Sequence, residues 1–267
     1  MSIKLRVLPA AAALAVSVLV TNVHAQSPAP AAAEAKPPEP PYTLTGNFGI
    51  YSQYIFRGLT QTDTKPAFQG GFDFAHESGF YLGTWGSNIS WISDAGACNH
   101  GCSLEWDVYG GWKKTWDDWG LDLGVLQYWY PGSYKSGFSS ANTTELYVAG
   151  SWKWLSLKFS DSVSSKTFGT PNSRGTWYLD LSAAYPLTEQ ITLIGHVGRQ
   201  DYHGSNSGVD NSVLNYTDWK AGATYTFKDN WTVGAYWTDT NANKSVYTLA
   251  NRFIGKSTGT VYVQKTF

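Results

Sequence analysis

The sequence predicts an all-β fold: an up-and-down antiparallel transmembrane β-barrel of about 12 strands, preceded by a signal peptide and a disordered Pro/Ala linker. Three observations carry this reading. Apolar and polar residues alternate with period two over long stretches, the alternating segments are near the nine to eleven residues a tilted strand needs to cross a bilayer, and the connections are short and long by turns.

At the amino end, Lys4 and Arg6 precede an uncharged run from Val7 to Val20, and Val23-His24-Ala25 has the small-x-small form of a cleavage site. The run is about fourteen residues, which suits a signal h-region and falls short of the roughly twenty a membrane helix requires. Residues 1–25 therefore read as a signal peptide. Ser27 to Pro41 is almost wholly Pro, Ala, Glu and Lys, a composition that buries no apolar surface, so residues 26–42 read as a linker. The barrel is expected over 43–267.

The chain has 13 Trp, 17 Tyr and 12 Phe but only 15% charged residues and one Met, a balance that favours strands over helices. Its formal charge is −1; once Lys4 and Arg6 leave with the leader, the 19 basic residues become 17 against 20 acidic. Nothing in that balance suits a nucleic-acid partner.

The clearest strand sets Leu104, Trp106, Val108, Gly110 and Trp112 against Glu105, Asp107, Tyr109, Gly111 and Lys113. The same split recurs in Leu146, Val148, Gly150 and Trp152 against Glu145, Tyr147, Ala149, Ser151 and Lys153, and again along 218–227. Strands are expected to begin near Thr43, Pro66, Phe80, Ser103, Leu121, Thr144, Leu155, Thr176, Ile191, Thr217, Trp231 and Thr258. Tight turns fall at His76 to Gly79, Asp117-Asp118, Trp154, Pro186 to Gln190 and Lys228 to Asn230. Longer polar loops are expected near Leu59–Lys65, Ile92–Gly101, Pro131–Asn142, Ser164–Arg174, Gln200–Asn215 and Asn241–Ser257. Tight inner turns and long external loops are the habit of outer-membrane barrels, and an even strand number returns both ends to the periplasm.

Alternation alone suits a soluble barrel equally well. Three features select the membrane. Aromatic residues gather at strand ends, with Trp112, Trp116, Trp119, Phe227 and Trp231 at one edge and Trp129-Tyr130 and Tyr236-Trp237 at the other, as two interfacial girdles. The polar face holds many ionisable groups, which a small dry core would bury at a cost of several kcal/mol per ion. Phe267 ends a strand with Val261 and Val263 on its face, an ending that resembles the signature read by the bacterial barrel assembly machinery. Lys265 departs from that pattern and is expected to snorkel to the interface.

From Gly49 the chain reads Gly49-Ile50-Tyr51-Ser52-Gln53-Tyr54-Ile55-Phe56-Arg57-Gly58, then Gln61, Pro66-Ala67, Gln69-Gly70, Gly79, Tyr81, Gly83, Trp85 and Ser87-Asn88. This resembles the TorF-family porins, also described as the proteobacterial Gcw_chp family, and Glu105, Asp107, Tyr109, Gly111, Tyr130-Pro131-Gly132, Glu145 and Tyr147 extend the likeness through most of the barrel. The resemblance implies an outer-membrane location and passive transport, and it supplies no substrate and no catalytic residue.

Arg57 is expected to end the first strand on its polar side, with Asp73 on the polar side of the second. Such charges either set ion selectivity or pair across strands and hydrate the lumen. The expected inward acids are Asp73, Glu105, Asp107, Asp122, Glu145, Asp180 and Asp218, and the inward bases Arg57, Lys113, Lys153, Lys158 and Lys220. That near balance predicts only a weak cation preference. Inward Tyr109, Tyr147 and Tyr178 are expected to narrow or close the passage. Cys98 and Cys102 suit a small disulfide on the oxidising export route; a metal held by Cys98, His100 and Cys102 would compete for the same thiolates. His196, His203, Asp201 and Ser205 lie near one another in sequence, as chance commonly provides, and make no defined hydrolase triad.

The leading expectation is therefore a porin for small hydrophilic solutes or ions, with outer-membrane lipids and the assembly machinery as partners and no cofactor, metal or catalytic residue. The alternatives are a plugged barrel presenting its loops to partners and, less well supported, an outer-membrane lipid hydrolase. No interface pattern marks an oligomer.

Overall fold

A computed structural model describes residues 40–267; the expected signal peptide and most of the linker lie outside the described residues. The barrel strands are β1 (Tyr42–Tyr51), β2 (Ala67–His76), β3 (Phe80–Asn88), β4 (Leu104–Trp116), β5 (Trp119–Trp129) and β6 (Thr143–Trp152), followed by β7 (Leu155–Ser162), β8 (Trp177–Pro186), β9 (Ile191–Asp201), β10 (Tyr216–Thr226), β11 (Trp231–Thr240) and β12 (Thr258–Thr266). Each pairs antiparallel with its neighbours in sequence, and β1 closes on β12, so the sheet has no edge. Every strand starts within two residues of the position expected from alternation.

The seam runs from Asn47 opposite Thr266 to Tyr51 opposite Tyr262. Gly46 and Phe267 exchange both backbone hydrogen bonds at 2.7 and 2.9 Å. A side chain on Gly46 would run into the Phe267 ring, which also meets Phe72 edge-on at 6.2 Å.

Period-two alternation turns Leu44, Phe72, Val108, Leu123, Val148 and Val233 outward, where they stay exposed to form an apolar belt. In water so large a patch is a liability; against lipid it is required. Rings line both rims. Trp119 lies 6.2 Å from Trp152, and Trp154 meets Tyr185 at 5.5 Å, beside the short turns. Trp106 stacks on Trp129 at 5.8 Å, and Phe159 lies 6.0 Å from Trp177, near the long loops. Two expected girdle members are elsewhere: Tyr130 is buried against Trp91 beneath the loops, and Tyr236 faces the lumen. Lys265 reaches back to donate to the Asp229 carbonyl over the Trp231 ring, so its charge leaves the apolar belt.

Inside, tyrosines sit across from glycines. Cβ atoms added at Gly83, Gly124 and Gly234 would stand within 2.4 Å of Tyr109, Tyr147 and Tyr262. The missing side chains let the rings lie flat on the neighbouring strand. Tyr109 and Tyr147 line the interior, where the Tyr147 hydroxyl meets that of Tyr81 on β3.

The apolar core lies under the long loops, with Tyr54, Leu59, Trp91, Ile92, Tyr128, Phe168 and Tyr247 almost wholly buried. The 98–100 segment pairs with Ser133–Tyr134, tying the second long loop to the third, and Cys98 and Cys102 form a disulfide. Both thiolates are consumed, which removes the ligand set considered for a metal at Cys98, His100 and Cys102.

Leu123 lies mid-strand on the belt, so Leu123→Arg is expected to cost about 2–4 kcal/mol in reversible unfolding from lipid vesicles. A cost well under 1 kcal/mol would contradict a lipid-facing wall.

Candidate functional site: a lumen sealed by the first loop

The sequence Ile55-Phe56-Arg57-Gly58-Leu59-Thr60 forms a tight hairpin, with Ile55–Phe56 paired to Leu59–Thr60. Its two central residues take positive φ, 43° at Arg57 and 78° at Gly58, as a two-residue turn requires. Such a φ is uncommon and unfavourable for a residue other than glycine, so the surroundings must hold Arg57 there. Arg57 was expected at the end of the first strand; β1 instead stops at Tyr51, and Arg57 sits at the tip of a loop folded into the barrel mouth. Apolar Ile55, Phe56 and Leu59 explain the fold-in, because exposure to water would waste their burial.

The tip is gripped from several sides. Arg57 donates to both Glu145 carboxylate oxygens at 3.0 and 2.8 Å and to Gln200 Oε1 at 2.7 Å. Its guanidinium lies 4.2 Å from the Tyr178 ring centre, 4.7 Å from Phe56 and 5.8 Å from Phe168. Tyr128 also donates to Glu145, at 3.0 Å. Burial by itself would lower the Arg57 pKa, but the Glu145 carboxylate raises it above its ordinary value, so the guanidinium remains charged. Gly58 packs against β10 and β11, where an added Cβ would stand 2.5 Å from Asp218 Cβ and 2.4 Å from Thr240 Cγ2. On the opposite wall Tyr54 donates to Glu105 at 2.8 Å, and its ring meets Trp85 at 5.5 Å. Burial first, and Glu105 next, push the Tyr54 hydroxyl pKa well up, which keeps it a donor.

Glu105, Asp107, Glu145 and Asp218, expected on a wet polar face, are each 2% exposed or less. The period-two pattern turned them inward as anticipated, but the folded loop then sealed them from water. Deeper in the lumen the polar groups are partly open to solvent. Asp73 accepts from Tyr109 at 2.7 Å, and Asp122 from Tyr81 at 2.6 Å. Lys158 lies 3.7 Å over Tyr147, Lys113 lies 5.3 Å from the Tyr81 ring centre, and Lys220 lies 5.4 Å from that of Tyr236. His196 bridges Asp180 at 2.7 Å and Asp218 at 2.6 Å, and Tyr178 donates to Asp218 at 2.9 Å. The histidine is thus engaged inside the barrel, whereas His203 and Asp201 belong to the loop side, 4.0 Å apart.

Lys153 also lies away from the lumen, where the sequence places it. β6 ends at Trp152, and Lys153 occupies the following turn at φ 53°, where it pairs with Asp118 at 3.5 Å and is half exposed. It does not contribute to the lumen charge.

Residues 34–267 match the family model described as "Bacterial protein of unknown function (Gcw_chp)". The chain belongs to the Gcw_chp family. No curated protein matches it in sequence. Among solved structures the KdgM porin is similar at 11% identity and a TM-score of 0.51, covering 84% of this chain and 99% of that one. The same porin in complex with disordered oligogalacturonate gives 11% identity, 84% and 99% coverage and a TM-score of 0.50. The NanC porin gives 13%, 84% and 98%, also with a TM-score of 0.50. At these identities the likeness establishes the barrel fold.

Removing one member of a buried ion pair costs about 3–5 kcal/mol, since the other is left uncompensated. Arg57→Met is therefore expected to undock the hairpin, read as accelerated amide exchange over 54–62, with much of the protection regained in Arg57→Met/Glu145→Leu. Gly58→Ala should undock it through steric overlap. Unchanged exchange in both single variants would show that the hairpin is held by something else.

Proposed function

We propose that this protein is a gated outer-membrane channel for small hydrophilic solutes or ions, with the first loop as its plug. The observation that carries the reading is that a loop hairpin outside the barrel ladder is buried in the barrel mouth, with Arg57 at its tip held by Glu145 on the wall. The plug lies outside the barrel ladder and is tied to neighbouring loops by backbone bonds from Thr60 to Ile254 and from Ser90 and Trp91 to Gln61, so it can leave without breaking that ladder. The fold shared with the KdgM and NanC porins supports the same class, as does the resemblance to TorF-family porins. In this reading residues 1–25 direct export, 26–42 form a periplasmic linker, and 43–267 make the outer-membrane barrel. Phe267 is the ending read by the assembly machinery, and the apolar belt faces lipid.

A second reading, a permanently plugged barrel that anchors its loops for partners, is favoured by the depth of the loop core and the buried Arg57–Glu145 pair. Planar-bilayer recording of the refolded protein separates the two. The channel reading expects a mostly closed wild type with brief discrete openings. It expects long-lived openings in Arg57→Met and in a variant whose 54–62 segment is replaced by a Gly/Ser tether. Folded variants that stay silent would establish the anchor instead; a wild type that is continuously open would remove the plug from the account.

A further inference from the structure

The geometry points to a cation-binding socket in the barrel wall that Arg57 occupies from within the chain, and that makes the passage cation-selective once the plug leaves. The inference rests on the channel reading above and assigns its ion class.

The socket is built by residues outside the plug. Glu145 on β6 supplies two carboxylate oxygens, Gln200 on β9 an amide oxygen, and Tyr178 on β8 a ring face, with Phe168 from the fourth long loop alongside. A carboxylate, a neutral oxygen and aromatic faces converging on one point recognise a planar or compact cation. The contacts engage the terminal nitrogens of Arg57, while its Nε is buried without a hydrogen bond. What is recognised is thus the charged head of the side chain more than arginine as a whole.

The surrounding charges are mostly acidic, with Lys158 acting on Glu145, and His196 and Lys220 on Asp218. Glu105, Asp107, Glu145 and Asp218 ring the hairpin, and Asp107 Oδ1 is buried without a partner. Arg57 and Tyr54 belong to the plug and depart with it, leaving Glu145 with the neutral donor Tyr128 and Glu105 with the neutral donor Tyr130. Below this ring, Asp73, Asp122 and Asp180 face Lys113, Lys158 and Lys220, with His196 bridging Asp180 and Asp218. Over the whole wall the seven inward acids outnumber Lys113, Lys158, Lys220 and His196, so the excess charge is acidic. Sequence alone predicted only a weak preference because it placed Arg57 and Lys153 on the wall; neither is a fixed lumen charge. Carboxylate rings of this kind concentrate cations and exclude anions.

The test uses full-length Arg57→Ala refolded into planar bilayers under a potassium chloride gradient, with millimolar guanidinium chloride as probe and urea as its neutral counterpart. The socket predicts a reversal potential on the cation side and block by guanidinium but not urea. Adding Glu145→Gln should weaken the block about tenfold, for loss of a charge-assisted contact. An anion-side reversal potential, or equal effects of guanidinium and urea, would overturn the inference while leaving the channel reading intact. A silent but folded barrel would overturn the channel reading and the selectivity with it. In that case a fluorescence titration of the same variant decides the socket, with saturation by guanidinium alone supporting it and no difference from urea rejecting it.

Discussion

Closure of β1 on β12 is the constraint on which the rest of the molecule depends. In hydrocarbon an unpaired backbone group costs several kcal/mol, so a spanning sheet has to return on itself. The Gly46–Phe267 exchange and the Asn47-to-Tyr51 register complete that circuit. Once it is complete, each strand has only two faces, one outward and one toward the interior. The alternation of Val108 with Tyr109, or of Leu146 with Tyr147, follows from that division of space.

A closed barrel of this width leaves an interior that its own side chains need not fill. Two devices divide it. Along the wall, glycines receive tyrosine rings from adjacent strands, which makes the lining polar at its hydroxyls. At the mouth, the hairpin carries apolar residues into the space and sets a charged group at its tip. A guanidinium in that position is costly to desolvate, and it is tolerated because a bidentate carboxylate, an amide oxygen and a ring face meet it together. The hairpin therefore combines nonspecific apolar burial with buried polar contacts at Arg57 and Tyr54 and a backbone bond from Thr60 to Ile254, an arrangement suited to docking in a single position.

The barrel was legible in the sequence because its rules are local. Strand starts, turn positions and the inward direction of Glu105, Asp107, Glu145 and Asp218 all follow from period two and from strand length. The placement of Arg57 failed for a local reason that was still readable: Phe56-Arg57-Gly58-Leu59 has a glycine at the second centre of a two-residue turn, with apolar flanks, and so marks a hairpin. Lys153 failed by one residue, because the strand ended at Trp152 and the turn took the lysine. Tyr130 and Tyr236 show the limit of the girdle pattern, in which an aromatic near a strand end counts as interfacial only if its side chain points outward.

The sequence by itself determined the fold class, the strand count and the inward face of the strands, Tyr236 excepted, since these are set by hydrophobic periodicity on the two faces of each strand. Only the tertiary structure decided that the outer lumen is sealed and which charges remain on its wall. Glu145 lies 88 residues from Arg57, and Gln200 lies 143 away. No periodicity links positions so far apart. Their meeting depends on the curvature of a closed sheet, which brings distant strands to face one another across a common interior.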